Sequence, residues 1–430
     1  MKLVKLNEEV KKEVLKELSE RSHSGNDDFT AVVDEILENV RANGDKAVFE
    51  YTKKFDGADI SKDNFIVSKE EIDEAYEKVD KKLIEVIRKS LQNIKSYHER
   101  QVRQTFIDDS KPGIILGQRI IPLETVGLYV PGGKAAYPSS VLMNVVPAKV
   151  AGVKCIQMAT PVNKEGKINP NTLVAANEAG VDIIYKMGGA QAIGAFAFGT
   201  EMVKKVDKIC GPGNIFVALA KKAVYGNVSI DSIAGPSEVL VLADETANPK
   251  YVAADLLSQA EHDEMASAVL VTTSEELAAN VKTWLKTFTD KLERKEIIQK
   301  SLDNYCYLIT CDSLKDAVDM VNDIASEHLE IVTKDPFNTM TMIRNAGAIF
   351  LGEYSSEPLG DYFAGPNHVL PTNGTAKFFS PLGIDDFIKK SSIISYSKDA
   401  LEPVYKDIVS FANAEGLTAH ANSIAVRFED

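Results

Sequence analysis

From about Thr125 onward, short apolar segments alternate with longer segments of helical periodicity, and this alternation constrains the fold more than any other feature. The first set of apolar segments comprises VGLYV, KCIQMAT, VDIIYKM and KVDKICGPG. A second set begins near Ile233 and comprises EVLVLAD, SAVLVTTS, YCYLITC and AGAIFLG. Short apolar strands separated by helices are typical of parallel β-α-β units. The sequence therefore predicts an α/β fold class with two parallel-sheet domains of similar texture.

The helical segments between these strands include SSVLMNVVPAKVAGV, GGAQAIGAFAFGTEMV and LKDAVDMVNDIASEHL. In the first of them we expect Ser139 or Ser140 near the N-cap, because serine side chains cap helix N-termini. The last segment predicts a helix that ends with Glu327 and His328.

Four segments are predicted along the chain. Apolar residues recur at helical spacing over the first hundred residues, and the charged N-terminal sequence MKLVKLNEEVKKEVLKEL has the same pattern. The two sheet domains follow, and a helical tail, EPVYKDIVSFANAEGLTAHANS, is unusually rich in polar groups. The predicted segments are 1–110 (helical, packing on the core), 111–232, 233–375 and 376–430.

The formal net charge of -14 argues against partners that need a basic surface, such as nucleic acids and anionic membranes. None of the four cysteines forms a C-x-x-C pair, which predicts a reducing compartment without a disulfide framework. The N-terminus lacks the apolar run of a signal peptide, and no apolar stretch is long enough to span a bilayer. We therefore expect a soluble cytoplasmic protein.

Two glycine-rich turns, 188–191 (GGAQ) and 211–214 (GPGN), each follow a predicted strand and open a predicted helix. Backbone N–H groups at such a turn can bind an anion. Neither turn matches G-x-G-x-x-G, because Phe216 holds the last glycine position of the second. Each turn alone is favoured as a tight connection, since glycine tolerates positive φ. Two of them at consecutive strand ends favour a ligand, because open α/β sheets bind ligands outside the carboxyl ends of their strands.

Polar clusters surround four of the six histidines, which are His262, His328, His368 and His420. Gln259 lies three residues before His262 on a predicted helix, so both side chains project from one face. Asp361 shares a predicted loop with His368, and Glu415 precedes His420. Each histidine alone is more often a hydrogen-bonding surface residue. Together, imidazole and carboxylate groups are the ligands of zinc, and a Glu-His pair suits acid–base catalysis. The set indicates a metal-assisted enzyme and names no substrate.

These motifs together resemble the histidinol dehydrogenase family. The stretch IDSIAGPSEV, continuing to DLLSQAEHD, is similar to the signature block of that family. Further blocks occur in family order: VPGGKAAYPSSVLMNVVPAKVAGV, GGAQAIGAFAFGT, CGPGN, SEHLE, GDYFAGPNHVLPT and AEGLTAHANS. The resemblance covers nearly the whole chain and is weakest over the first hundred residues.

The resemblance implies roles for individual residues. The implied zinc ligands are Gln259, His262 and Asp361 from one subunit and the partner subunit's His420. The implied catalytic pair is Glu327 and His328. The implied substrate contacts are Ser237, Gln259, His262, His328, Asp361, Glu415 and His420. The implied NAD contacts are Tyr129, Gln191 and Asn214.

The resemblance also implies a homodimer with shared active sites. Each subunit would contain two incomplete Rossmann-like domains and small helical terminal segments exchanged with its partner, and would bind NAD and one zinc ion. The implied reaction is the sequential NAD-dependent oxidation of L-histidinol through L-histidinaldehyde to L-histidine. Two alternatives stay open: a zinc- and NAD-dependent dehydrogenase of another amino alcohol or polyol, and a two-domain binding protein without catalysis.

Overall fold

The computed structural model describes residues 1–21, 26–132 and 137–429. The chain forms two compact units: Met1–Gln101 with Leu123–Phe387, and Val102–Pro122 with Ile388–Asp430. The division at residues 110, 232 and 375 stays a prediction. Within the described ranges, every helix is too short or too polar to cross a membrane.

The strands and helices are numbered separately along the chain. The strands are β1 (Lys2–Lys5), β2 (Phe106–Asp108), β3 (Ile114–Pro122), β4 (Thr125–Tyr129), β5 (Cys155–Thr160), β6 (Ile183–Lys186), β7 (Lys208–Cys210), β8 (Ser229–Ile230), β9 (Glu238–Ala243), β10 (Ser267–Thr272), β11 (Cys306–Thr310), β12 (His328–Val332), β13 (Ala348–Leu351) and β14 (Ile388–Tyr396). The helices are α1 (Glu8–Glu20), α2 (Asn26–Asp56), α3 (Lys69–Lys78), α4 (Lys81–Glu99), α5 (Pro138–Ala151), α6 (Pro170–Ala179), α7 (Gly189–Phe198), α8 (Ile215–Val224), α9 (Pro249–Ala260), α10 (Glu275–Thr289), α11 (Lys295–Tyr305), α12 (Leu314–Ile324), α13 (Pro336–Met340), α14 (Glu357–Tyr362), α15 (Lys398–Leu401), α16 (Tyr405–Ala414) and α17 (Thr418–Ala425).

The first sheet of the larger unit is entirely parallel, with strand order β6-β5-β4-β7-β8. Its first strand in the chain, β4, lies at the centre. The chain adds β5 and β6 on one side and then returns to add β7 and β8 on the other. The order therefore reverses between β4 and β7, and ligands of open α/β sheets bind at the carboxyl end of such a reversal.

The second sheet of the larger unit is also parallel, with order β1-β11-β10-β9-β12-β13. Apart from β1, its strands follow the same chain order as the first sheet, with β9 at the centre. The prediction of an α/β fold with two parallel sheets of similar texture is confirmed.

Apolar layers cover both faces of the second sheet. Val239 and Val241 of β9 pack in one buried cluster with residues of α9 and α10. Leu240 and Leu242 point the other way and pack with residues of α1 and α12. Successive side chains of a strand point to opposite faces, so a strand buried on both faces is apolar at every position.

The structure corrects the prediction for the N-terminus, because residues 2–5 form a strand and not a helix. Strand β1 pairs in parallel with β11, with Lys2 opposite Tyr307. The helix begins only after Asn7, whose side chain accepts hydrogen bonds from the N–H groups of Glu9 and Val10. Pairing with the open edge of β11 is a long-range contact that local periodicity does not reveal.

The prediction that Glu327 and His328 end a helix is wrong. Helix α12 ends at Ile324, and Ala325 adopts a left-handed conformation with φ of 54°. His328 instead opens β12, a fully buried strand paired with β9 and β13. The segment HLEIV is short and contains β-branched residues, which favours a buried strand.

Ser139 and Ser140 lie near the N-cap of α5, as predicted, but neither is the N-cap residue. The N-cap position is Tyr137, which makes no side-chain capping hydrogen bond, and Pro138 begins the helix. Proline suits that position because it has no N–H to leave unpaired and its φ is already helical.

The smaller unit contains an antiparallel sheet of order β14-β3-β2 and the helices α15 to α17. The tail helices were predicted, but the sheet was not. Strands β3 and β14 pair over nine residues, from Ile388 opposite Pro122 to Tyr396 opposite Ile114. These strands are far apart in sequence and partly polar, so neither gives a strong local signal.

Candidate active site

A cavity of about 380 Å³ in the larger unit is lined by two sheet edges. The first sheet contributes the turn after the carboxyl end of β7, including Gly211 and Asn214. The second sheet contributes residues at the amino ends of its strands, among them Ser237 before β9 and His328 at the start of β12. Further lining residues come from the end of α9, from α14 and from the segment 368–372.

Glu327 and His328 are buried side by side in the wall of this cavity. Glu327 Oε2 accepts a hydrogen bond of 2.9 Å from the N–H of Glu238. His328 Nδ1 lies 2.9 Å from the carbonyl oxygen of Glu238, so Nδ1 carries the proton and donates it. His328 Nε2 is buried and has no hydrogen-bond partner among the described residues, and Asp361 Oδ1 lies 3.7 Å away. A nitrogen with this geometry can exchange a proton with a ligand in the cavity.

The pKa values of both residues are raised, that of Glu327 by burial and that of His328 by neighbouring charges. Burial raises the pKa of Glu327 to about 8, with His328 opposing the shift and Glu238 adding to it. For His328, burial alone lowers the pKa, but Glu327 and Asp361 outweigh it and raise the pKa to about 10. Strongly shifted acids and bases in a cleft are typical of catalytic sites.

Three side chains beside the pair form a candidate metal site. One ligand atom from each of His262, Glu357 and Asp361 lies within 4.8 Å of the others. Gln259, three residues before His262, has a buried Oε1 without a hydrogen-bond partner among the described residues. An imidazole, two carboxylates and an unpaired amide oxygen match the donors of zinc or a similar divalent ion. The donor set therefore fits a bound divalent cation.

Glu357 was missed by the sequence analysis, and Asp361 was misplaced in a loop. Both residues lie on α14, four positions apart and therefore on the same face. Burial raises the pKa of Glu357 to about 7, and nearby Asp361 adds to the shift. Ser258 Oγ donates to Glu357 Oε2 at 2.9 Å. The helical spacing of two acidic residues was the signal that could have found Glu357.

The predicted turn 211–214 is confirmed as a strand-to-helix turn on the cavity. Gly211 has φ of 117°, and a Cβ atom there would overlap the carbonyl oxygen of Tyr129. The Gly211 N–H donates to Asp231 Oδ2 at 2.8 Å, and Asp231 pairs with Lys221. The Asn214 side chain caps α8 by accepting from the N–H groups of Phe216 and Val217. Asn214 thus has a structural role as well as a position on the cavity.

The other two predicted cofactor residues, Tyr129 and Gln191, are buried near the turn 188–191. Tyr129 Oη accepts a hydrogen bond of 3.1 Å from the Gly189 N–H. Gln191 Oε1 is buried without a partner among the described residues. Within the described part of the chain, neither residue lines the cavity that contains Asn214.

The remaining predicted residues fall in both units. Ser237 lines the cavity of the larger unit. Glu415 and His420 belong to the smaller unit, at the end of α16 and in α17. Both are exposed and line a concavity of about 670 Å³ whose other members include Ile408 and Phe411.

The sequence and the structure are both similar to those of one known protein family. A family model described as histidinol dehydrogenase matches residues 19–428. Histidinol dehydrogenase of Clostridium acetobutylicum is 56% identical over 412 residues, covering 96% of this chain and 95% of the relative. That of Halalkalibacterium halodurans is 53% identical over 430 residues, with full coverage of both chains. The crystal structure of histidinol dehydrogenase from Elizabethkingia anophelis superposes with a TM-score of 0.94 at 39% identity, covering 100% of this chain and 98% of that one.

Proposed function

The chain belongs to the histidinol dehydrogenase family, whose members are NAD-dependent oxidoreductases, and we propose that it oxidises L-histidinol through L-histidinaldehyde to L-histidine. This reaction is the final step of histidine biosynthesis, and we place the protein in the cytoplasm on that basis. The observation that carries the proposal is the buried Glu327–His328 pair beside the His262, Glu357 and Asp361 cluster.

His328 is proposed as the base of the oxidation. Its Nδ1–H donates to the Glu238 carbonyl, so Nε2 is the nitrogen that takes the hydroxyl proton of the substrate. Because the pKa of His328 is raised to about 10, the neutral form that accepts this proton increases as the pH rises. NAD, when bound, accepts the hydride from the carbon that bears this hydroxyl group, so each oxidation moves two electrons. A positioned acid–base group contributes about 10²- to 10⁴-fold to the rate.

Glu327 is proposed to act on the aldehyde. Its carboxylate would take a proton from the water that adds to the aldehyde carbon, while the aldehyde oxygen takes the proton that His328 gained in the first oxidation, giving the hydrate. Removal of a hydroxyl proton by His328 and transfer of a hydride to a second NAD then give the carboxylic acid, which ionises to the carboxylate. Because the pKa of Glu327 is raised to about 8, the base form increases as the pH rises through that value. A buried wall also keeps bulk water from the aldehyde between the two oxidations.

We propose zinc, one ion per subunit, as the metal. The residues that would hold it are Gln259, His262, Asp361 and the partner subunit's His420, and Glu357 is the further candidate that lies in the same cluster. Zinc, when bound, orients the imidazole and amino nitrogens of the substrate. We propose Ser237 and Glu415 as additional substrate contacts.

NAD is proposed to bind at the carboxyl edge of the first sheet. Asn214 on the cavity supports this placement, as does the unpaired Gln191 Oε1 at the start of α7. Tyr129 completes the proposed set of contacts. The reversal of strand order between β4 and β7 is the usual position for a dinucleotide.

We further propose a homodimer in which the tail of one subunit completes the active site of the other. The exposure of Glu415 and His420 supports a role in contact with a partner. Mixed dimers of His420→Ala and His262→Ala chains test this arrangement. Each variant alone should be inactive, and the mixture should recover activity because one site of the mixed dimer is intact. Failure of the mixture to recover any activity would argue against the exchange.

NADH formation with histidinol tests the reaction itself. The proposal predicts about two NADH per histidinol, loss of activity with a chelator and recovery with added zinc. The alternative, a dehydrogenase of another amino alcohol or polyol, predicts zinc-dependent NADH formation with that substrate and none with histidinol. A binding protein without catalysis gives no NADH with any of them.

A further inference from the structure

Two buried charged residues behind the catalytic pair, Arg21 and Glu238, have no part in the proposed reaction. Arg21 follows α1 and is 2% exposed, and Glu238 opens β9 and is 5% exposed. Neither is among the described residues that line the cavity. The Arg21 guanidinium pairs with Glu238 Oε1 and donates to the Met265 carbonyl oxygen at 2.8 Å. Burying an ion pair is costly, so this pair is weak evidence for stability alone.

Glu238 contacts the catalytic pair through three hydrogen bonds. Its N–H donates to Glu327 Oε2 at 2.9 Å, and its own Oε2 accepts from the Glu327 N–H at 3.2 Å. Its carbonyl oxygen accepts from His328 Nδ1 at 2.9 Å. The parallel register, with His328 opposite Val239, brings these strand ends together. The peptide and side chain of Glu238 thereby set the orientation of both catalytic side chains.

We propose that Arg21 and Glu238 are positioning residues that hold Glu327 and His328 in their reactive orientation. Arg21 holds the Glu238 carboxylate in place, and that carboxylate accepts a hydrogen bond from the backbone N–H of Glu327. The Nδ1 contact to Glu238 also sets the tautomer of His328, so that Nε2 is the acceptor. The inference rests on the proposed function, because Arg21 and Glu238 can have a positioning role only if Glu327 and His328 are the catalytic residues.

The ion pair joins distant parts of the chain at the active site. Arg21 and Glu238 are separated by 217 residues, and the salt bridge links the end of α1 to the start of β9. Arg21 can form this link because its fork of donors reaches a carboxylate and a carbonyl at once. A lysine keeps the charge but loses the fork. Arg21→Lys therefore isolates geometry from charge, and Glu238→Gln removes the charge with little change of shape.

The experiment compares these variants with a matched control in the full-length protein. Asp386→Asn breaks another ion pair, which is partly buried: Lys208 Nζ lies 2.8 Å from Asp386 Oδ1, and the lysine side chain is 7% exposed and the aspartate side chain 30%. Lys208 begins β7, at the amino edge of the first sheet and outside the cavity lining. For each protein, kcat is normalised to bound zinc, and KM is measured for histidinol and NAD.

The inference predicts that Arg21→Lys and Glu238→Gln lower kcat per zinc-loaded site by about 10²-fold, the loss that a misplacement of about 1 Å can cause. The KM values should change little, and Asp386→Asn should keep the kcat of the unmodified protein even if its thermal midpoint falls. A merely structural pair would lower the midpoint and the zinc-loaded fraction of both variants without lowering kcat per site.

Two results would overturn the inference, and they are distinguishable. If both positioning variants keep the kcat of the control, the positioning role is wrong while the proposed function stands. If the unmodified protein and Asp386→Asn also form no NADH from histidinol, the proposed function fails and the inference fails with it. Should Arg21→Lys not fold, Glu238→Gln gives the decision, because it keeps the guanidinium and the volume of the side chain.

Discussion

One cavity is lined on one side by the carboxyl edge of the first sheet and on the other by the amino edge of the second sheet, and the two edges contribute different kinds of residue. At the first edge the turn 211–214 lies on the cavity, and its Gly211 N–H donates to Asp231, which is paired with Lys221. At the second edge, Glu327 and His328 are buried beside the acidic and imidazole groups of the candidate metal site. We propose the first edge for the dinucleotide and the second for acid–base and metal chemistry.

The difference teaches where each kind of site can be found. Backbone N–H groups converge at a strand-to-helix turn, so the first edge follows the general rule for open α/β sheets. The second edge lies at the amino ends of β9 and β12, where that rule predicts nothing. There the cost of burying charges has to be met by pairing and hydrogen bonds, as between Arg21 and Glu238.

The largest effect is expected at the second edge. His328→Asn removes the proposed base while keeping a donor of similar size near the Glu238 carbonyl. We expect kcat for histidinol to fall by about 10²- to 10⁴-fold, with NAD affinity unchanged. Steady-state kinetics and an independent NAD titration check this. Loss of NAD binding in this variant would mean that the two edges do not have separate roles.

A smaller effect at the same edge concerns the metal. Glu357→Gln keeps the shape of α14 but removes one carboxylate from the cluster with His262 and Asp361. We expect zinc affinity to fall by about 10- to 100-fold, the usual cost of losing a group that supports a metal site. The matched control is Glu353→Gln, an exposed residue just before α14. Equal zinc affinity in the two variants would exclude Glu357 from the metal site.

At the first edge the backbone should be sensitive. Gly211→Ala introduces a Cβ that overlaps the Tyr129 carbonyl at a φ of 117°. We expect stability to fall by at least about 1–3 kcal/mol, the cost of a strained backbone, and KM for NAD to rise. Gly226→Ala is the control, because Gly226 has φ of 102° but no atom within 4 Å of an added Cβ. The thermal midpoints of both variants are measured, because Gly226→Ala adds backbone strain alone and Gly211→Ala adds strain and overlap. Equal losses would show that the backbone near Gly211 moves enough to remove the overlap.

The smallest effect is expected from Asp56→Asn, which should increase stability in a pH-dependent way. Asp56 ends α2, its Oδ2 is buried without a partner among the described residues, and burial raises its pKa from 3.8 to about 6. Because the folded state favours the protonated form, stability falls as the pH rises from about 4 to about 6, and the full penalty applies above that. Two pKa units correspond to about 3 kcal/mol, and the partial exposure of Asp56 reduces this to about 1 kcal/mol.

Asp56→Asn should therefore raise the thermal midpoint at pH values above about 6 and leave it unchanged below about pH 3, where the carboxyl is protonated in both the folded and the unfolded state. Unfolding curves at a series of pH values check this. A gain of equal size at every pH would assign the effect to packing and not to the carboxyl charge.

The parallel sheets and the glycine turns could be predicted from sequence because their signals are local. Apolar runs such as EVLVLA and glycines before a helix need no knowledge of distant residues. His262, Asp361 and the Glu327–His328 pair were found by residue type and Gln259 through the family resemblance, and the structure brings them to one cavity. Their roles there stay predictions.

The parts that were missed depend on long-range pairing. Strand β1 forms by pairing with the edge of β11, and β3 pairs with β14 although most of the chain separates them. Glu357 appeared in a segment without an assigned helix, so its alignment with Asp361 on α14 was not visible. The contact between Arg21 and Glu238 joins residues that no local pattern connects.

The most direct test of the division between the two edges is to measure zinc and NAD binding separately in His262→Ala and Asn214→Ala, by metal analysis and calorimetric titration of NAD. The account predicts that His262→Ala loses zinc and still binds NAD, whereas Asn214→Ala keeps zinc and binds NAD more weakly. If His262→Ala loses NAD binding, or if Asn214→Ala loses zinc while remaining folded, the two edges do not act separately and the account is wrong.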